Sequence, residues 1–427
     1  MKEKKILSLL LLMPFVCALP VAAQENLDNT IYHAPVVKGL SDSALLDLVQ
    51  RQSLRYFWDF AHPVSGMARE RSNKAYTYGL ETTTTGGTGF GIMAIIVGVE
   101  RKWITRDTAA KMLLKLTRFL QQAERYHGIF PHWMHGATGK TIPFSEYDDG
   151  ADIVESAYLF QGLLCARAYF NRQTSVEVSL RSGISQLWNE ADWNWHTQGK
   201  EELFWHWSPK YDWKMNFSIH GWNECLITFV IAASSTTHPI DPKVYHEGWA
   251  QGENFKNGKL YYGFTLPLGF PYGGPLFFSH YSFLGIDPHG LSDRYADYWK
   301  QNLQHSLINY THCVQNPKKY EGYGANCWGL TASDSYDGYD AHSPDNDLSV
   351  ISPTAALSSF PYTPVQSMAA LRHFYDERGN QLWGAYGFVD AFSDTKKWTA
   401  QSYLAIDQGP IVVMIENYRS GLLWNLF

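Results

Sequence analysis

Between Ser145 and Glu155 the chain carries five carboxylates in eleven residues, Glu146, Asp148, Asp149, Asp152 and Glu155, and then turns apolar from Ala157 to Phe170. Read as a helix starting near Asp149, this places Asp148, Asp152 and Glu155 at i, i+4 and i+7. Side chains at that spacing share one face, with neighbouring Cβ atoms about 5–6 Å apart. Acids in a first turn are favoured by the helix dipole, so capping explains part of the cluster. Three on one stripe exceed what capping needs and suggest a polar pocket built from carboxylates.

Carboxylates at such a density suit glycoside hydrolysis, which needs one acid to protonate the leaving oxygen and a second carboxylate to activate water or attack carbon. Those two groups must flank the scissile bond. Asp148, Asp152 and Glu155 form a single wall, so a partner must come from elsewhere. Glu224, in His220-Gly221-Trp222-Asn223-Glu224-Cys225, opens an otherwise apolar helix after an aromatic loop, where partial burial would raise its pKa as a general acid requires. A residue serving only the helix dipole would look the same. Asp407, in Ala405-Ile406-Asp407-Gln408-Gly409-Pro410, likewise precedes an apolar helix and has the alternative reading of an N-cap.

Aromatic residues make up 15 % of the chain, 16 of them Trp. A pyranose has an apolar face that stacks on an indole and a rim of hydroxyls that needs charged or amide partners, and the loops offer both. Trp133, Trp205, Trp207 and Trp222 are the candidate platforms, with His220 beside the last. The loop set Trp205-His206-Trp207 stands out, since a lone Trp is otherwise most often core.

Other chemistries find less support. No H-E-x-x-H, G-x-S-x-G or P-loop occurs. Gly86-Gly87-Thr88-Gly89-Phe90-Gly91 has no clear strand feeding it, which favours close backbone packing or a substrate loop over a phosphate cradle. The acids between Asp334 and Asp347 do not match an EF-hand, so no calcium site is expected. Cys165, Cys225, Cys313 and Cys327 lack ligand spacing, and no metal or other cofactor is expected; Cys313 and Cys327 are left as a possible pair. Net charge is −6 with the signs mixed, which argues against nucleic acid and against a cationic cleft for uronates.

These residues must be positioned by helices. Helical periodicity recurs from Ser41 to Phe57, Gly89 to Val99, Arg106 to Tyr126, Asp149 to Phe170, Val176 to Trp188, Trp222 to Ala233, Ser292 to Cys313, Val365 to Glu377 and Pro410 to Tyr418. Strand-like alternation is confined to pieces such as Lys259 to Thr265. Long loops rich in Gly, Trp, Tyr, His and Asp alternate with the helices, at 82–87, 127–147, 193–221, 262–290 and 320–364. Loops beyond about 12–15 residues usually serve a function. A ring of helical hairpins, the all-α (α/α)6 barrel, would bring alternate connections to one rim, and roughly twelve helices of average length fit this chain.

Six segments in order carry a resemblance: Tyr56-Phe57-Trp58-Asp59, Thr84-Thr85-Gly86-Gly87-Thr88-Gly89-Phe90-Gly91, Gly128-Ile129-Phe130-Pro131-His132-Trp133, the acidic run, Asn216 to Glu224, and Asp407-Gln408-Gly409-Pro410. Together they resemble the bacterial glycoamylase-like family, whose characterised members are the β-1,2-glucanases of glycoside hydrolase family 144. The resemblance spans residue 41 to the C-terminus. It implies an (α/α)6 barrel and inverting hydrolysis of β-1,2-glucan or its oligosaccharides. Carried over by motif, Glu224 corresponds to the general acid, Asp407 to the general base, and Asp148, Asp152 and Glu155 to the subsite around the cut. An α-glucan enzyme, as the glucoamylase name suggests, and a non-catalytic sugar-binding barrel are the alternatives.

Residues 1–23 read as a signal peptide: Lys2, Lys4 and Lys5, an apolar run from Ile6 to Val16, then Val21-Ala22-Ala23. Pro14-Phe15-Val16 makes a poor lipobox before Cys17, so cleavage is favoured over a lipid anchor. No later run is long enough to span a bilayer. The expectation is a periplasmic or secreted monomer with a short extension at 24–40 and one barrel domain at 41–427, taking an oligosaccharide or polysaccharide substrate.

Overall fold

The computed structural model describes residues 34–74 and 78–427. The expected signal peptide lies outside the described residues.

The helices are α1 Asp42–Trp58, α2 Thr85–Glu100, α3 Arg106–Gln122, α4 Ile153–Tyr169, α5 Ser175–Glu190, α6 Leu226–Ser234, α7 Tyr298–Gln315, α8 Pro353–Leu357, α9 Pro364–Arg372, α10 Gly379–Leu382, α11 Ala405–Ser420 and α12 Leu422–Leu426. Short antiparallel pieces lie in the connections between helices, among them β1 Thr82–Thr84, β2 Trp133–His135 and β3 Thr141–Ile142 in one sheet, β4 Ala151–Asp152 with β5 His206–Trp207, β6 Leu260–Tyr261 with β7 Phe264–Thr265, and β8 Ala332–Ser335 with β9 Gly338–Ala341.

Sequence separates the helices into two rings. α2, α4, α6, the turn Ser282–Leu284, α8 and α11 are apolar nearly all round and buried, as an inner layer requires. α1, α3, α5 and α7 are amphipathic, with one buried face. Inner elements pack on their neighbours, α2 on α4, α4 on α6, α6 on the 282–284 turn and α8 on α11, and α11 closes the ring against α2. This is the (α/α)6 toroid that the alternation of helices and loops suggested.

Glycine permits the tightest inner contact. A Cβ at Gly89 would overlap the carbonyl of Tyr158, and one at Gly162 would overlap the carbonyl of Gly89, so α2 and α4 touch backbone to backbone. The run Gly86–Gly91 is therefore a packing surface.

Several boundaries differ from those read in the sequence. α4 begins at Ile153, four residues later than expected, because Ala151 and Asp152 pair as a strand with Trp207 and His206. α6 begins at Leu226, leaving Glu224 in the preceding turn. α11 begins at Ala405, with Pro410 inside the helix and Asp407 at its third position; the N-cap is Leu404. The acids of 334–347 disperse: Asp334 joins Arg71, Asp347 is buried against His312, and Asp337 is exposed. Cys165, Cys225, Cys313 and Cys327 are buried free thiols. Among the described residues no helix is long and apolar enough to cross a membrane.

Candidate active site

A cleft of about 700 Å³ opens at the end of the barrel where the inner elements begin. Thr84 before α2, Glu155 in α4, Glu224 before α6, Tyr281 before the 282–284 turn, and Leu404 and Ile406 at the start of α11 all line it. Five of the six inner elements thus begin at one space. The connecting loops and short strands add Glu70, Arg71, His132, Trp133, Phe144, Trp205 and Tyr339.

The three acids expected to form a helical stripe meet in another way. With α4 starting at Ile153, Asp152 is its N-cap: Oδ1 accepts from the Val154 and Glu155 amides and from the Trp205 indole at 3.0 Å. Asp148 reaches the same place from the turn before β4. His132 stands between them, with Nδ1 3.0 Å from Asp152 Oδ2 and 3.7 Å from Asp148 Oδ2, and Nε2 3.9 Å from Glu155 Oε1. His206 approaches Asp148 at 3.4 Å and Asp152 at 3.7 Å from behind. Of the three acids only Glu155 lines the cleft; Asp148 and Asp152 are buried behind His132. The carboxylates therefore converge on a histidine instead of presenting a common face to substrate.

Electrostatics follow from this packing. Burial alone would depress the His132 imidazolium, but the charge of Glu155 and the hydrogen bonds to Asp148 and Asp152 outweigh it and raise its pKa well above the usual value. Burial likewise opposes ionisation of Asp152, yet the bond to His132 and the charge of His206 pull its pKa below the usual carboxylate range. Glu155 is pushed up to about 7 by burial, which the His132 cation only partly offsets. Its Oε2 accepts the Gly86 amide at 2.7 Å, and a Cβ on Gly86 would lie 2.6 Å from that oxygen. His132, Asp148 and Asp152 also have the spacing of metal ligands, with ligand atoms within 4.8 Å of one another, and His132 is hydrogen-bonded to Asp152.

Glu224 lies across the cleft opening from α11, half-buried, with its carboxyl raised to about 7 by burial and then by the charges of Glu155 and Asp152. Its backbone is anchored by Ser282, whose hydroxyl donates to the Glu224 carbonyl at 2.5 Å. Such a carboxyl can hold a proton at neutral pH and give it to a leaving oxygen.

Asp407 sits under the opposite wall. Its carboxyl is buried and does not itself line the cleft, although its neighbours Leu404 and Ile406 do. Burial and the charges of Asp334 and Glu70 raise it to about 7, against the hydrogen bond from Asp390. α6 and α11 are the third and sixth elements of a six-membered ring, so Glu224 and Asp407 start from opposite sides.

The aromatic candidates divide. Trp133 and Trp205 line the cleft, and Phe144 stacks on His132 at 4.1 Å between ring centres. Trp222 does not serve as a platform: it is fully buried between Trp249 and Tyr298, with ring centres 5.6 and 5.5 Å away, so both faces are occupied. His220 is exposed and outside the cleft lining, because Gly221, at φ 74°, turns the chain between it and Trp222. Trp207 also points away. Side chains alternate along a strand, and in β5 His206 faces the acids while Trp207 packs on Tyr126 and Trp195.

Sequence reasoning gave no role to His132, Glu70, Arg71, Asp334 or Asp390. Asp390 had a usable signal, as the lone acid in the apolar run Gly387-Phe388-Val389-Asp390-Ala391-Phe392.

Residues 216–427 match the model of the family described as "Glycoamylase: Putative glucoamylase". The crystal structure of a putative glucoamylase from Bacteroides uniformis is 58 % identical, with a TM-score of 0.89, covering 91 % of this chain and 95 % of that one. The chain belongs to the glycoamylase family. Within that family, the endo-β-1,2-glucanase of Chitinophaga pinensis, solved with sophorotriose and glucose, is 53 % identical with a TM-score of 0.89 over 91 % of this chain and 95 % of that one. The exo β-1,2-glucooligosaccharide sophorohydrolase of Parabacteroides distasonis is 43 % identical over 96 % of this chain. The chain spans about 60 % of that relative's length.

Proposed function

We propose that this glycoamylase-family protein is an inverting glycoside hydrolase that cleaves β-1,2-linked glucan or gluco-oligosaccharides, with Glu224 as general acid and Asp407 as general base. Glu224 donates its proton to the glycosidic oxygen as the C1–O bond breaks. A water on the other face of the sugar attacks C1 and gives its proton to the Asp407 carboxylate. Glu155 and His132 face the sugar hydroxyls beside the cut, and Trp133 and Trp205 supply stacking surface. The observation that carries the reading is Glu224: a carboxyl in an aromatic-walled cleft, raised to about 7, in the neutral form a proton donor needs. The β-1,2 linkage is supported by the named activities of the Chitinophaga and Parabacteroides relatives. The Lys2–Ala23 segment supports export to the periplasm or beyond.

Incubation with linear β-1,2-glucan, starch and laminarin tests this. Reducing sugar should appear from β-1,2-glucan with the wild-type protein and not with Glu224→Gln. Cleavage of starch in place of β-1,2-glucan would restore the α-glucan reading, and binding without cleavage would make the protein a sugar-binding barrel.

A further inference from the structure

The cleft is uneven in its chemistry. Glu70, Arg71, Glu155 and Glu224 supply charged groups, whereas Trp133, Ile142, Pro143 and Phe144 form a side without an ionisable group. Local sequence builds that side. Trp133 stands directly opposite Ile142 in the β2–β3 pair, so the two side chains leave the same face. Pro143 biases Ile142 toward extended backbone, and two residues beyond Ile142 an extended chain returns Phe144 to that face. The Phe144 amide donates to the Asp148 carbonyl at 2.9 Å, which ties the segment to the turn that carries Asp148.

The Phe144 ring is held on two sides and open on a third. His132 covers one face, with ring centres 4.1 Å apart and planes 17° from parallel. Trp133 meets the ring at 4.8 Å and 69°, edge to face. His132 is itself fixed by Asp152, 3.0 Å from its Nδ1. Phe144 is nevertheless 49 % exposed, and it lines the cleft, so its second face looks into the cleft. Apolar surface left in water forgoes about 25 cal/mol per Å², which a ligand covering the ring would recover. A rigid ring with one bare face and a second ring standing steeply beside it makes a corner that fits a pyranose, its apolar face on Phe144 and its edge against Trp133.

The position of this corner is set by His132. The edge of the imidazole points at the acids, with Nε2 3.9 Å from Glu155 Oε1, while Phe144 lies over the imidazole face. The corner is therefore one ring removed from Glu155, beside the place of the cut.

We propose that Phe144, with Trp133 at its side, is the platform of an outer glucosyl subsite and determines how much the protein gains from a longer chain. The proposal rests on the reading of the cleft as the site of β-1,2-glucan hydrolysis. Ile142, Pro143 and Phe144 offer no side-chain hydrogen bond, so the corner holds a sugar by its apolar face without reading its hydroxyls. Contact of this kind, away from the reacting carbon, is the same in the ground state and the transition state. It lowers KM and leaves kcat alone.

Steady-state kinetics on β-1,2-gluco-oligosaccharides of increasing length, from the trisaccharide to the heptasaccharide, test this with Phe144→Ala, Phe144→Leu and Phe144→Tyr. For chains long enough to reach the corner, Phe144→Ala should raise KM about fivefold, the scale of one lost aromatic contact, with kcat changed less than twofold. The ratio of variant to wild-type KM should grow with chain length and then level off. Phe144→Leu should behave like Phe144→Ala, because it keeps an apolar side chain and loses the flat face, and Phe144→Tyr should restore the wild-type values. Phe217 is as exposed as Phe144 but lies outside the cleft lining, so Phe217→Ala should leave KM unchanged at every length. A KM ratio that is the same at every length, or a fall in kcat of equal size at every length, would overturn the proposal and show that Phe144 acts only by supporting His132. An equal KM shift in Phe217→Ala would overturn it as well. Wild-type protein that cleaves no member of the series would remove the β-1,2 reading and the subsite together, whereas wild-type cleavage matched by Phe144→Ala would remove the subsite alone.

Discussion

Nδ1 of His132 lies 3.0 Å from Oδ2 of Asp152, the residue that caps α4 with its other carboxylate oxygen. One side chain thus begins the helix and orients the histidine that neutralises Asp148 and Glu155. Removing that histidine leaves three carboxylates around a cavity.

His132→Ala should destabilise the fold by about 3–5 kcal/mol, the cost of stranding buried charge. The pKa of His132 is raised in the folded state, so its contribution is complete below the unfolded value of about 6.5 and fades as pH rises through the folded value. The deficit measured by denaturant unfolding should be larger at pH 6 than at pH 9. Equal midpoints for variant and wild type at pH 6 would contradict the charge assignment.

Glu224→Gln should lower kcat by about 10²–10⁴-fold, the range for loss of a general acid. It should also alter stability in a defined direction. The folded pKa of Glu224, about 7, exceeds the ordinary glutamate value of 4.5, so the native state binds more protons between these values and loses stability as pH rises across that window. Gln has no proton to lose. The variant's melting temperature should exceed the wild-type value at pH 8, and its advantage should vanish at pH 4.

The pH profile of kcat/KM should be a narrow bell near neutrality. Activity falls above about 7 as Glu224 ionises and falls below about 7 as Asp407 takes up a proton. A rate that is flat from pH 5 to 9 would exclude both groups from the rate-determining proton transfers.

Two tryptophans of similar sequence context should behave differently. Trp222→Ala should cost about 3–5 kcal/mol of stability, as a core truncation does, and leave the KM of the remaining folded protein near the wild-type value. Trp205→Ala should raise KM about fivefold, equivalent to roughly 1 kcal/mol of lost stacking. Unfolding and steady-state kinetics on both variants separate the two roles.

The fold was legible in the sequence because inner and outer helices differ in composition: α2 and α4 are apolar on every side, whereas α3 carries one apolar stripe. Glu155, Glu224, Trp133 and Trp205 were legible as cleft residues because acids at helix starts and Trp in loops are unusual together. The misplaced residues share a cause. Trp222, Trp207 and the α4 start depend on local backbone direction, set by the left-handed Gly221 and by the pairing of β4 with β5, which helical periodicity does not encode. His132 was hidden because a histidine's partners come from the tertiary fold: Asp148 and Asp152 are brought to it by the β4–β5 pairing.

The most direct test of the account is the anomeric form of the first product. Linear β-1,2-glucan is mixed with the protein in an NMR tube, and the reducing-end H1 signals are followed before mutarotation. Inversion at C1 by water activated on the face opposite Glu224 predicts that the α anomer appears first. Initial appearance of the β anomer, or hydrolysis that persists at the wild-type rate in Glu224→Gln, would contradict it.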